Sequence, residues 1–91
     1  MKEILTTLIG KDLAMVTARW VISKVRNEKG IKTIELKAMG KKMAKAIDVL
    51  EILKRELKID KASIETHTAE VINEDRMPQK ISVITIKLER K

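Results

Sequence analysis

Four lysines, Lys37, Lys41, Lys42 and Lys45, surround Gly40 with no acid between the first and the last of them. They stand where an apolar, alternating run gives way to a long helical pattern. A glycine there admits backbone conformations closed to other residues, and the first turn of the following helix offers unpaired N–H groups and a partial positive charge. Acids normally complement that end of a helix. Lysines in their place make the junction a site waiting for an anion, and a phosphate suits it. Further cations lie elsewhere: Lys11 at the start of a first helix, Arg76 and Lys80 on a later hairpin. Any one of them is explained about equally well by solubility. As a set, brought to one side by the fold, they would form a phosphate-binding surface.

Catalysis finds little to work with. The single histidine, His67, is flanked by Thr66 and Thr68, the chain has no cysteine, and neither a Gly-x-Ser-x-Gly nor a Walker-type phosphate loop occurs. A lone histidine lacks the base, orienter and oxyanion donors that an active site needs. The carboxylates are scattered and mostly within helical reach of lysines or arginines, as Glu51 is of Lys54 and Arg55. No metal-ligand cluster, catalytic residue or cofactor is expected.

The elements that must position the lysines follow from spacing. Ile4 to Ile9 reads as a short strand stopped by Gly10. Asp12 is placed to cap a helix over about 13–27, whose apolar residues at 13, 16 and 20 and at 15, 18, 22 and 25 form a wide arc. Trp20, the single aromatic residue, lies within that arc and reads as core rather than as a base-stacking platform. Ile31 to Ala38 alternates, with Ile34, Leu36 and Ala38 on one face. A second helix over about 41–57 puts Met43, Ala46, Ile47, Leu50, Leu53 and Leu57 in one stripe, Val49 at its margin and Ile52 nearly opposite. A strand over about 62–72 slips in its alternation near Thr68-Ala69, as at a bulge. The polar, proline-bearing segment 73–79 reads as a hairpin tip, and a last strand over about 80–89 turns Ile84, Ile86 and Leu88 to one side. The order β-α-β-α-β-β, with right-handed crossovers, gives a four-stranded mixed sheet with both helices on one face. One domain is expected over residues 1–91, with a hairpin arm at about 69–83.

Composition agrees with a soluble domain that meets polyanions. The chain has 91 residues, 36% of them charged and 44% hydrophobic, with a formal net charge of +7. That is one modest core, helped by pairing with a second copy. Clustered lysine and arginine are rewarded by counterion release from phosphates, so nucleic acid leads among partners and no membrane span is expected. Met1 to Leu5 carries one basic residue and runs straight into an alternating apolar pattern, unlike a secretory leader, and the absence of cysteine fits a reducing interior. The expected location is the cytoplasm.

These residues resemble those of the Alba family of small archaeal chromatin proteins across nearly the whole chain. Ile9-Gly10-Lys11 is similar to the family's Ile-Gly-Lys approach to the first helix. Ile34-Glu35-Leu36-Lys37-Ala38-Met39-Gly40-Lys41-Lys42-Met43-Ala44-Lys45-Ala46-Ile47-Asp48 is similar to its strand, glycine turn, basic residues and Lys-Ala-Val/Ile-Asp helix start, and Ile81-Ser82-Val83-Ile84-Thr85-Ile86 to its last strand. The resemblance implies a two-fold homodimer that binds double-stranded DNA, and also RNA, without sequence specificity. The Lys11 and Lys41 regions of two subunits would form a basic saddle and the hairpins would reach along the minor groove. Lys11, Lys37, Lys41 and Lys45 occupy basic positions of the family pattern, whereas Lys42, Arg76 and Lys80 are assigned from charge and placement. Leu57 occupies an apolar position that members use between dimers, and Ile52 is a second candidate for such contacts. Asp12 stands where many members have a second lysine, and Met39 where many have an arginine.

The expected function is therefore that of a non-enzymatic, chromosome-associated architectural protein that coats duplexes as a dimer. The alternative is a scaffold subunit of an RNA-processing ribonucleoprotein, the role some family relatives fill.

Overall fold

A computed structural model describes residues 4–91; the expectation for Met1, Lys2 and Glu3 lies outside the described residues. The elements are β1 (Ile4–Leu8), α1 (Ala14–Asn27), β2 (Thr33–Met39), a 3₁₀ turn (Gly40–Lys42), α2 (Met43–Glu56), β3 (Ile59–Ile72) and β4 (Pro78–Arg90). This is the expected β-α-β-α-β-β order. The sheet runs β1-β2-β4-β3, with β1 parallel to β2 and the other pairs antiparallel.

Alternation sends Ile34, Leu36 and Ala38 of β2 and Ile84, Ile86 and Leu88 of β4 into one core, with Ala18, Val21, Ile22 and Val25 of α1 and Ala46, Val49, Leu50 and Leu53 of α2. Burying each of the larger side chains contributes about 1.5–3 kcal/mol. The opposite face of the sheet carries Glu35, Glu65, Thr85 and Lys87 and stays polar. Both helices therefore cover one face, as the crossovers require.

Four expectations change. Asp12 does not cap α1: the cap position is Leu13, in extended conformation and with no side-chain hydrogen bond, and the helix begins at Ala14. The α1 arc is wider than the surface available to cover it. Thr17, Ala18, Val21, Ile22 and Val25 are buried, whereas Trp20 is 48% exposed and Leu13, Met15 and Val16 are also exposed. In α2 the buried stripe is rotated: Val49 is fully buried, Ile47 is exposed, and Ile52 packs against the core. A helical wheel assumes one covering surface, but α2 has two, the sheet and α1; Ile52 faces Met15 and Ile22 of α1 across a shared cleft. Finally, the β3–β4 register runs without interruption from Lys61↔Glu89 to Ile72↔Pro78, and its irregularity lies between Ile59 and Lys61, not at Thr68-Ala69. Near Thr68 neither face is fully buried, with Ala69 and Val71 half-covered on one side, so alternation is only weakly enforced.

The hairpin outruns the rest of the sheet. The last β2–β4 pair is Met39↔Val83, but β3 and β4 continue from Thr68↔Ser82 to Ile72↔Pro78. Those residues form an arm roughly 17 Å long at about 3.4 Å per residue. Its tip is shorter than expected, because β4 begins at Pro78 rather than at Lys80, while β3 ends at Ile72 as expected. The side-chain carbonyl of Asn73 accepts hydrogen bonds from the amides of Asp75 and Met77 at 2.9 and 3.0 Å, and the Asn73 amide donates to the Met77 carbonyl at 3.0 Å.

Candidate nucleic-acid interface

Because β1 and β2 are parallel, their carboxyl ends lie at one end of the sheet, and the loops leaving them are neighbours. The first loop holds Gly10 and Lys11; the second holds Gly40, Lys41 and Lys42. Two hydrogen bonds fasten them together. The Ile9 amide donates to the Lys37 carbonyl at 2.8 Å, and the Lys45 ammonium, from the first turn of α2, donates to the Gly10 carbonyl at 2.7 Å. Lys45 is thus a clamp as well as a charge: its half-buried ammonium fixes the loop that carries Lys11 against the start of α2.

Gly40 makes the second turn possible. Its φ is +57°, a left-handed conformation that residues with a Cβ rarely adopt, and a Cβ there would lie 3.8 Å from the Ile81 side chain at the base of the arm. The chain leaves β2 extended at Met39, reverses at Gly40 and enters the 3₁₀ turn and then α2. Neither start has an acid in its first turn or a side-chain cap, so backbone N–H groups and the exposed Lys41 and Lys42 are presented together.

The structure brings Lys11, Lys41, Lys42 and Lys45 to this end of the sheet. Lys37 is placed differently. Strand alternation turns it away from the buried Leu36 and Ala38 onto the polar face, where its ammonium lies 3.8 Å from a Glu35 carboxylate oxygen. Arg76 and Lys80 are on the arm, Arg76 at the tip with φ of 60° and Lys80 opposite Glu70. The arm springs from the same end of the sheet as the cradle, since β4 leaves β2 at Met39 beside Gly40. Ile52 and Leu57 are both partly buried against the core and offer limited surface for a further contact.

Two residues that shape the site escape the sequence patterns above. Gly10 matters for its carbonyl, which no local pattern marks. Asn73 is legible in principle, because an asparagine opening a polar turn is a known way to bond the backbone two residues on. Among the described residues, no group of histidines and acids could hold a metal ion, and no helix is long and apolar enough to cross a membrane.

The fold and the basic loops at one end of the sheet together define a small basic α+β domain. The Alba family profile matches residues 2–71, and the chain belongs to that family. Among solved structures it is similar to Alba from Thermoplasma volcanium, at 29% identity and a TM-score of 0.79, covering 94% of this chain and all of that one. It is also similar in fold to ALBA1 from Trypanosoma brucei, at 14% identity and a TM-score of 0.67, covering 93% of this chain and 68% of that one. Among curated proteins, none matches the chain.

Proposed function

We propose that this protein binds double-stranded DNA and RNA with little sequence preference, as a non-enzymatic architectural component of the chromosome in the cytoplasm. The observation that carries the reading is the Lys45 to Gly10 bond, which joins two separate basic loops into one cradle beside the base of the arm. Lys11, Lys41 and Lys42 take phosphates there and release counterions, the helix start adds backbone donors, and Arg76 and Lys80 extend the contact along the duplex. Lys37 adds a weaker contribution from the flank, because Glu35 partly neutralises it.

The dimer is part of the same proposal. Ala62, Ile64 and Thr66 of β3 pair with Leu88, Ile86 and Ile84 and so share their helix-side face, yet all three are exposed, Ile64 by 51%. Helix α2 packs over β2 and β4 while α1 lies beside α2 and β1, and most of β3 stays exposed. An apolar strand face left open beside a helix is what a second copy would cover, doubling the cradle and setting two arms at opposite ends. The scaffold reading has less support, since Ile52 and Leu57 are partly spent on the core of their own subunit.

The test is a titration of two duplexes of unrelated sequence at two salt concentrations. Equal affinities that fall steeply with salt are expected, with a slope near 0.9 per phosphate neutralised. A salt-insensitive or sequence-selective complex would contradict the proposal.

A further inference from the structure

The outer side of α1 carries the chain's single tryptophan, half exposed, over a cavity of about 380 Å³. Trp20 and Val16 form one wall; Thr6 and Leu8 of β1, with Gly10 and Asp12 of the following loop, form the other. Among the described residues, the β1 wall is an unpaired sheet edge. The Ile9 amide turns to β2, and because successive residues of a strand alternate sides, the amide and carbonyl groups of Thr6 and Leu8 turn the other way, where none of the described strands lies. The cavity therefore offers an aromatic plane, free backbone donors and acceptors, and one carboxylate. It adjoins the cradle, since Gly10 belongs to both. The Lys24 ammonium lies 6.0 Å from the centre of the Trp20 ring, so a cation stands beside the aromatic surface.

We infer that this cavity takes one unpaired nucleobase of a single-stranded or looped nucleic acid, stacked on Trp20 and hydrogen-bonded along its edge by the Thr6 and Leu8 backbone and by Asp12. The inference rests on the nucleic-acid reading of the cradle and adds a second mode to it. Mixed polar and aromatic walls match a base, which has a stacking face and an edge of donors and acceptors. Lys11, between Gly10 and Asp12 in the chain, and Lys24, beside Trp20 and 3.7 Å from a Glu28 carboxylate oxygen that a phosphate would have to displace, supply cations for the phosphates flanking that base. They disfavour a second copy of the chain, which would set these lysines against their own kind, and β1 is too short an edge to offer a long peptide strand much pairing. Asp12 accepts hydrogen bonds, which the exocyclic amino groups of adenine, cytosine and guanine donate, whereas the N3–H of uracil or thymine stands between two carbonyl oxygens that repel the carboxylate; bases with amino groups are therefore preferred. A base held in a duplex is already paired and does not reach the site.

The single tryptophan is its own reporter. The full chain is titrated with oligo(dA), oligo(dT) and a duplex of equal length at one salt concentration, following Trp20 emission and, separately, a label on the nucleic acid. Single strands are expected to quench the emission, oligo(dA) more than oligo(dT), and the duplex to bind with little quenching. Trp20→Leu should weaken single-strand binding by about 5- to 160-fold, the range of one lost base stack, and leave duplex affinity within about twofold. Asp12→Asn should narrow the gap between oligo(dA) and oligo(dT). Single strands that bind without quenching and are indifferent to Trp20→Leu would overturn the base pocket while leaving the cradle standing. Quenching by duplex as strong as by single strand would also overturn it. Failure of every nucleic acid to bind at low salt would remove the cradle and the pocket together. A Trp20→Leu chain that sediments as a smaller species than the parent would mark the cavity as a contact between subunits instead.

Discussion

The cradle and the arm both present cations, but the chain builds them in different ways. The cradle is made by contacts distant in sequence: Lys45 reaches back to Gly10, Ile9 pairs with Lys37, and Gly40 turns the chain against Ile81 of the last strand. The arm is made by neighbours. Beyond Val83 only its own two strands pair, with Ile81 near its base beside Gly40, and its tip closes through Asn73 bonding residues two and four positions on. One region should therefore be rigid and sensitive to substitution at a distance, the other locally encoded and tolerant.

Removing the cradle charges tests the first half of this contrast with the largest effect. The Lys11→Ala/Lys41→Ala/Lys42→Ala chain should lose tenfold or more in duplex affinity at moderate salt, and its salt slope should fall by about 0.9 for each phosphate contact removed, while its melting temperature stays near that of the parent. Affinity like the parent's would mean that the cradle has been put in the wrong place.

Lys45→Met separates clamp from charge. Losing a charge-assisted hydrogen bond to a backbone carbonyl should cost about 1–2 kcal/mol in denaturant unfolding. It should also make a later Lys11→Ala change less costly for binding than it is in the parent, because the loop is already released. Additive effects in that double-mutant cycle would reduce Lys45 to one more surface cation.

Gly40→Ala should cost about 1–2 kcal/mol through its positive φ alone, since a Cβ there would meet Ile81 at 3.8 Å, an ordinary contact. Duplex affinity should fall as the turn carrying Lys41 shifts. If unfolding is unchanged, the turn has another conformation available to it.

In the arm the effects should be smallest. Arg76 sits at a φ of 60°, where glycine is at ease, so Arg76→Gly should leave stability equal or slightly raised while lowering the salt slope by about one contact per subunit. Arg76→Ala removes the same charge without relieving the backbone, and should match it in slope but not in stability. A loss of more than about 1 kcal/mol from Arg76→Gly would show that the arm is coupled to the core after all.

Much of the fold was legible because its strands and helices each bury one face. Ile34, Leu36 and Ala38, and Ile84, Ile86 and Leu88, alternate in sequence and are buried together in the structure. Where an element has two covering surfaces or none, periodicity misleads. Val49 and Ile52 depart from a single-stripe pattern because α1 covers a second flank of α2, the core does not extend over Trp20, and alternation weakens near Thr68 because the arm has no fully buried face, Ala69, Val71 and Ile81 being only half-covered. Of the candidate site, charges and the glycine turn could be read directly, since side-chain chemistry and backbone freedom belong to single residues.

By itself the sequence determined which groups this protein has to offer: a surplus of ammonium groups, a glycine able to reverse the chain at Gly40, and an element order that leads to a mixed sheet. Only the tertiary structure decided where those groups meet. It ran β1 parallel to β2, tied Gly10 to Lys45, turned Lys37 aside onto the polar face and left Trp20 open at a free strand edge. The physical reason is that charge and conformational preference are local properties, whereas convergence depends on which surfaces find partners when the whole chain packs.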